Sequence, residues 1–250
     1  MTNRSVFVTG ASRGIGAAIA REFAELGDRV AVHYGESKTS ASKVLESLAG
    51  TGHIAVHADL RDANEVRNAV DRAAEEFGGI DVLVNNAGVF FSHPLETSTY
   101  EEWQNAWADT LGINLIGAAN MVWCAVQHMP HHANSRIVNV GSRGAFRGEP
   151  TSPAYGASKA GLSSFGQSMA LALAPLGISV TTLAPGFVET KMAAELLNGP
   201  EGEEIRSQSP FNRVATAKEI AKAVAFLASN EAEWASGAIL DFNGASYLRM

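Results

Sequence analysis

The sequence predicts an α/β fold, a single-domain doubly wound sheet of seven parallel strands with helices on both faces. Three observations predict it. Short β-branched or apolar runs recur along the chain, helix-patterned segments separate them, and a glycine-rich turn follows directly on the first run. Alternating strands and helices require crossover connections, and right-handed crossovers place helices over each face of a parallel sheet.

The first run, "SVFVT" (5–9), leads through the glycine turn into "GAAIAREFAELG", where Ile19, Phe23 and Leu26 share one helical face. The runs "RVAVHY" (29–34), "HIAVHA" (53–58) and "DVLVN" (81–85) follow as buried strands. "YEEWQNAW" then brings a helix with Trp103 and Trp107 one turn apart, a spacing read as packing. "RIVNV" (136–140) is the fifth strand, and beyond it Ser152 and Pro153 offer a cap and a first residue for a helix carrying "YGASK". "SVTTLA" (179–184), the helix "AKEIAKAVAFLA" with Ile220, Val224 and Leu227 on one face, and "AILDF" (238–242) complete the set. Ligands of such sheets bind beyond the carboxyl ends of the strands, so chemistry is expected in the loops after "VFVT", "VLVN", "IVNV" and "TTLA".

A chain of 250 residues can bury one substantial core, and residues 1–250 are expected to form one dinucleotide-binding and catalytic domain. The net charge is -7 with no dense Lys/Arg run, so neither nucleic acid nor an anionic membrane is expected as a partner. Cys124, the single cysteine, lies in apolar "MVWCAV" and reads as a buried structural thiol. The start "MTNRSVFVTG" lacks the apolar region of a signal peptide and no run approaches membrane-spanning length, so a cytoplasmic enzyme is expected. His128, His131 and His132 have no accompanying carboxylate or thiol pattern, and no metal site is expected.

The turn "TGASRGIG" (9–16) has Gly10, Gly14 and Gly16, with Ser12, Arg13 and Ile15 between them. Such a turn lets backbone approach a pyrophosphate resting on the N-terminus of the following helix. Where an NAD-binding chain of this kind usually carries an acidic residue for the ribose diol, "VAVHYGESK" offers His33, Tyr34 and Gly35. Arg13, Ser37 and Lys38 instead suit a 2′-phosphate, so NADP(H) is favoured over NAD(H), provided Glu36 points to solvent.

Tyr155 and Lys159 are four apart and share a helix face. An ammonium beside a phenol is expected to lower the phenol's pKa and fit it for proton exchange with a substrate oxygen. Ser142, at the end of "RIVNV", can hydrogen-bond the same oxygen.

Together these residues resemble the short-chain dehydrogenase/reductase family over nearly the whole chain, similar to its 3-oxoacyl-acyl-carrier-protein reductase-like members. The resemblance implies the Rossmann form of the doubly wound sheet. It also implies an adenine-side contact at Asp59 and Leu60, and a cofactor-lining "NNAG" turn with Asn86, Ala87 and Gly88. Pro185, Gly186, Val188 and Thr190 are implied to hold the nicotinamide. Asn114, Ser142, Tyr155 and Lys159 are implied as the catalytic four: Tyr155 the general acid in reduction, Ser142 polarising the carbonyl, Lys159 tuning Tyr155 and holding the ribose, Asn114 anchoring the lysine through a water.

The expected activity is reduction of a small-molecule ketone or 3-oxoacyl group. An NAD(P)-linked alcohol or sugar dehydrogenase working oxidatively, and a catalytically idle dinucleotide sensor, are the alternatives. His93 is open between a substrate contact and an ordinary loop residue. Arg143 and Arg147 are open between a substrate carboxylate, an acidic carrier protein and a structural salt bridge with Glu149, which is ranked first. Residues 191–211 are expected to be the substrate lid, two short helices around "NGPEGEE". Tyr247 and Leu248 are candidates for a subunit interface in a homo-oligomer, a tetramer or dimer.

Overall fold

The computed structural model describes residues 3–131, 135–190 and 193–249. In chain order the first half comprises β1 (Ser5–Val8), α1 (Gly14–Glu25), β2 (Arg29–Tyr34), α2 (Lys38–Glu46), β3 (Ile54–His57), α3 (Ala63–Phe77), β4 (Val82–Asn85), α4 (Tyr100–Leu111) and α5 (Ala118–Val126). The second half comprises β5 (Arg136–Val140), α6 (Gly144–Arg147), α7 (Pro153–Leu173), β6 (Ser179–Pro185), β7 (Val188–Glu189), α8 (Ala194–Asn198), α9 (Gly202–Ser207), β8 (Ala215–Thr216), α10 (Ala217–Leu227) and β9 (Ile239–Phe242).

Every residue of β1, β4, β5 and β6 is buried, as strands covered on both faces must be. They belong to one seven-stranded sheet in the order β3-β2-β1-β4-β5-β6-β9, parallel throughout. The seven expected runs are its seven strands. Because β1 lies between β2 and β4, the connections leave it in opposite directions, and a crevice opens above the carboxyl ends of β1 and β4.

Two apolar cores flank the sheet. Ile19, Phe23, Ile220, Val224 and Leu227 fill one, where α1 packs on α10. Val66, Val70, Phe77, Met121 and Ile137 fill the other, beneath α3, α5 and α7. Leu26, expected on the buried face of α1, is at its C-cap and 45% exposed, because the chain turns away there toward β2. Cys124 is buried in the second core as a free thiol.

Local chemistry sets the helix ends. Asp62 caps α3 by accepting from the N–H groups of Asn64 and Glu65, and Thr99 and Glu102 form a reciprocal capping box at α4. The helix from Tyr100 to Val126 is continuous through a widened turn at Gly112–Gly117. By length and mean hydropathy it is long enough to cross a membrane, yet Met121, Val122 and Ala125 are inside the second core, which makes it a core helix.

The short parallel pair β7–β8 had no sequence signal. It ties the segment after β6 to the start of α10 and so holds both ends of the α8–α9 excursion. His128 pairs with Asp71 at 2.7 Å, and His132 lies outside the described residues.

Candidate active site

The crevice is built around the glycine turn. Gly10 has φ +62°, and a Cβ there would meet the Ala87 backbone at 2.8 Å; a Cβ on Gly16 would collide with the Gly10 carbonyl oxygen. Around them the polar groups are paired. Thr9 Oγ1 accepts from the Asn86 and Ala87 N–H groups at 2.9 Å each, and Asn86 Nδ2 donates to the Thr9 carbonyl at 2.9 Å. The turn is therefore fastened to the "NNAG" loop across the switch point.

His33 is a brace that sequence reasoning missed. It was expected beside the ribose, but it is 2% exposed and points under the turn. Its Nδ1 accepts from the Gly10 N–H at 2.9 Å, which leaves Nε2–H to donate to the Ala58 carbonyl at 3.1 Å. Burial pulls its pKa down to about 4, so the ring is neutral.

On the rim, Arg13, Glu36 and Lys38 are exposed. Neither cation has a carboxylate oxygen within 4.0 Å among the described residues. Ser37 is occupied otherwise, capping α2 by accepting from the Ser40 N–H and donating to Ser40 Oγ. Asp59 is held below the usual carboxylate range by its hydrogen bonds from Arg61, which also grips Asp109 at 2.7 Å and so ties the β3 loop to α4. Leu60 is buried, and its carbonyl abuts Gly117.

Ile15 is half-buried at the start of α1 beside exposed Gly14, and Ser12 lies between the turn glycines. Pro185 ends β6 and Gly186 follows it, buried Val188 starts β7, and the Thr190 methyl lies 3.7 Å from where a Cβ on Gly14 would be. A cradle that a side chain would fill, an open helix N-terminus and unpaired cations on the rim fit a phosphorylated dinucleotide.

Tyr155, Lys159, Ser142 and Asn114 meet next to this cradle. Pro153 starts α7 as expected, but buried Ser152 does not cap it through its side chain. The Ala154 N–H instead donates to His93 Nε2 at 3.3 Å. His93 Nδ1–H then donates to the Phe91 carbonyl at 2.8 Å, and its ring meets Trp103 edge-on. His93 is 2% exposed with both nitrogens engaged, which places it as the cap of α7 and favours the ordinary-residue side of its two readings.

Tyr155 follows directly, half-buried, with Phe90 edge-on to its ring at 5.0 Å. Lys159 is 4% exposed, its Nζ 5.8 Å from the Tyr155 ring centre and donating to the Val140 carbonyl at 2.9 Å. Burial pulls the Lys159 ammonium down to about 8. The Tyr155 phenol moves up, contrary to the expectation from the lysine: its desolvation outweighs the Ser142 hydrogen bond, and the Glu149 charge adds to the rise. Ser142 Oγ also accepts from the Gly144 N–H at 3.0 Å.

Asn114 sits in the widened turn of the long helix, 1% exposed. Its amide exchanges two hydrogen bonds with the Val89 backbone and donates to Ser158 Oγ, which donates to the Tyr155 carbonyl. Asn114 Oδ1 and Lys159 Nζ face the same side of Gly88. A widened turn in mid-helix interrupts regular bonding, and here it aims Asn114 at the loop beside the lysine.

Beyond β7, α8 and α9 form the two short helices expected of the 191–211 segment, of which Lys191 and Met192 lie outside the described residues. The expected salt bridges from Arg143 and Arg147 to Glu149 are not formed. Both arginines donate to Gln208 Oε1, just beyond α9. Tyr247 is tied within the chain, donating to the Phe146 carbonyl at 2.9 Å, while Leu248 is exposed.

A family model described as Enoyl-(Acyl carrier protein) reductase matches residues 10–244, from Gly10 of the glycine turn through α7 to beyond the last strand. The chain belongs to the short-chain dehydrogenase/reductase family. It is thus an oxidoreductase with that family's sheet. It is similar to the 3-oxoacyl-[acyl-carrier-protein] reductase FabG of Staphylococcus aureus, 37% identical over 98% of both chains. It is also similar to the cis-4-hydroxycyclohexanecarboxylate dehydrogenase of Sinomonas cyclohexanicum, 38% identical over 96% of this chain and 95% of that one. A short chain dehydrogenase from Burkholderia cenocepacia, solved in complex with NADP, superposes with a TM-score of 0.88 at 36% identity over 98% of both chains.

Proposed function

We propose that the protein is an NADP(H)-dependent carbonyl reductase that converts a ketone or 3-oxoacyl group to an alcohol, with Tyr155 donating the proton. The observation that carries this reading is the arrangement of Tyr155 and Lys159 on one face of α7, with Lys159 Nζ 5.8 Å from the Tyr155 ring centre and Ser142 near enough to act on the phenol. A phenol is protonated at neutral pH, which is the state a general acid needs. Ser142 orients the carbonyl, and Lys159, still largely charged below about pH 8, favours charge developing toward the phenolate. Asn114 holds the Val89 loop and, through Ser158, the first turn of α7.

When bound, the nicotinamide supplies the hydride. The residues proposed to hold it are the glycine turn with Ser12 and Ile15, the Asn86–Gly88 turn, Asp59 and Leu60 at the adenine, and the loop of Pro185, Gly186, Val188 and Thr190. Exposed Arg13 and Lys38 support the 2′-phosphate, with Glu36 turned to solvent, and the NADP complex of the Burkholderia relative agrees. Residues 191–211 act as the lid in this reading. The active form is proposed to be a cytoplasmic dimer or tetramer, supported by exposed Ile116, Trp123, Leu171, Phe226 and Trp234.

Tyr155→Phe removes the proton donor and leaves the cradle untouched. Turnover of a responsive ketone should fall by about 10²- to 10⁴-fold while NADPH binding, read by its fluorescence, is retained. Unchanged turnover would overturn the role of Tyr155.

A further inference from the structure

Arg143 and Arg147 stand outside the proton-transfer unit, yet their guanidinium groups converge on one neutral atom. Arg143 Nη2 and Arg147 Nη1 donate to Gln208 Oε1 at 2.5 and 2.9 Å. Arg143 is 4% exposed, its guanidinium carbon 4.9 Å from the Phe187 ring centre, and its Nη1 is buried with no partner among the described residues. No carboxylate oxygen lies within 4.0 Å of either guanidinium among those residues.

A buried cation is normally matched by an opposite charge, and an amide oxygen shared by two cations is a weaker acceptor than an anion. Burial first, and then the Arg147 charge, depress Arg143, while the Glu149 charge acts the other way through space. Glu149 forms no ion pair with either guanidinium, and burial pushes its own carboxyl up. The place in the fold is telling. Arg143 directly follows Ser142, Glu149 is near enough to raise the Tyr155 phenol, and Gln208 belongs to the lid segment.

We propose that Arg143 and Arg147 are the receptor for an oxyanion carried by the substrate, with Gln208 Oε1 standing where one oxygen of that anion would bind. The inference rests on the carbonyl-reductase reading and narrows it to substrates that carry a carboxylate or a phosphate ester. Gln208 turns aside as the anion enters, so the lid segment reports that the correct substrate has arrived. A carboxylate would come from a small keto acid, and a phosphate from a phosphopantetheine arm carrying a 3-oxoacyl group.

The test separates binding from turnover. With NADP+ present, calorimetry would compare cyclohexanecarboxylate with cyclohexanecarboxamide, and phosphopantetheine with pantetheine. The anionic member of one pair should bind about ten- to a hundredfold more tightly, the range of one or two charge-assisted hydrogen bonds. The pair that discriminates identifies the source of the anion. Substituting buried Arg143 risks misfolding, so exposed Arg147→Gln is the first variant, and Gln208→Glu, which supplies the missing charge from within, is the second. Both should abolish the discrimination, and Gln208→Glu should also raise Tm. Equal affinities within both pairs, or discrimination that survives both variants, would overturn the proposal. Turnover of 4-oxocyclohexanecarboxylate against its methyl ester is read separately: anion binding without turnover of any ketone counts against the reductase reading and leaves the anion receptor standing.

Discussion

The cofactor side and the substrate side of the crevice are held together differently. Around the glycine turn, Thr9, His33 and Asn86 join β1, β2 and β4 through hydrogen bonds to one another's backbone. Around α6 and the start of α7, Arg143 Nη1 and Ser152 Oγ are buried without partners among the described residues. A dinucleotide has one shape, so its cradle can be completed before it arrives, and preorganisation lowers the cost of binding. A substrate brings its own polar groups, and in the proposed function Arg143 is left to meet them.

The largest expected effect comes from breaking the cradle at His33. Its ordinary pKa of 6.5 falls to about 4 in the fold. Between those values the unfolded chain binds a proton that the folded chain refuses, so the stabilisation is complete above about pH 6.5 and is lost as the pH falls toward 4. Over the whole window it amounts to about 3 kcal/mol. Urea midpoints measured from pH 7.5 to 4.5 should fall more steeply for the native protein than for His33→Asn. Parallel curves would show that His33 is not the brace.

This contrast also divides what could be read from the chain. The seven strands, the glycine turn and the Tyr155–Lys159 pair are written in short periods and spacings, and they folded as read. The role of His33 was not legible because it depends on register: Val8 pairs with Val32, which sets the next residue of β2 beneath the turn that follows β1. The Tyr155 phenol was expected to fall because its lysine is visible in the sequence, whereas the burial that raises it is tertiary. Likewise Glu149 looked like the partner of two nearby arginines, but Gln208, 65 positions from Arg143 and just beyond α9, reaches both.

His93 sharpens the comparison at an intermediate magnitude, since it is a brace like His33 but serves the catalytic side. His93→Ala leaves the Ala154 N–H without an acceptor at the start of α7, a loss comparable to removing a helix cap, about 1–2 kcal/mol. Chemical denaturation should show it. His93→Gln, whose side-chain oxygen can accept the same bond, should recover part of the loss. Because Ala154 adjoins Tyr155, kcat should fall for His93→Ala and rise again for His93→Gln; equal kcat in the two variants would separate the cap from the catalytic geometry.

The smallest effect is expected on the rim, where the cradle meets solvent. Arg13 is exposed and free of any ion pair among the described residues, so removing it disturbs no packing. Its proposed work is one charge-assisted contact to a 2′-phosphate, screened by water and salt, worth about 1–2 kcal/mol. Arg13→Ser should therefore weaken NADPH binding about tenfold, leave NADH binding nearly unchanged, and do so less at high ionic strength. Equal weakening of both cofactors would mean that Arg13 shapes the turn, and the preference would then rest with Lys38 at the start of α2.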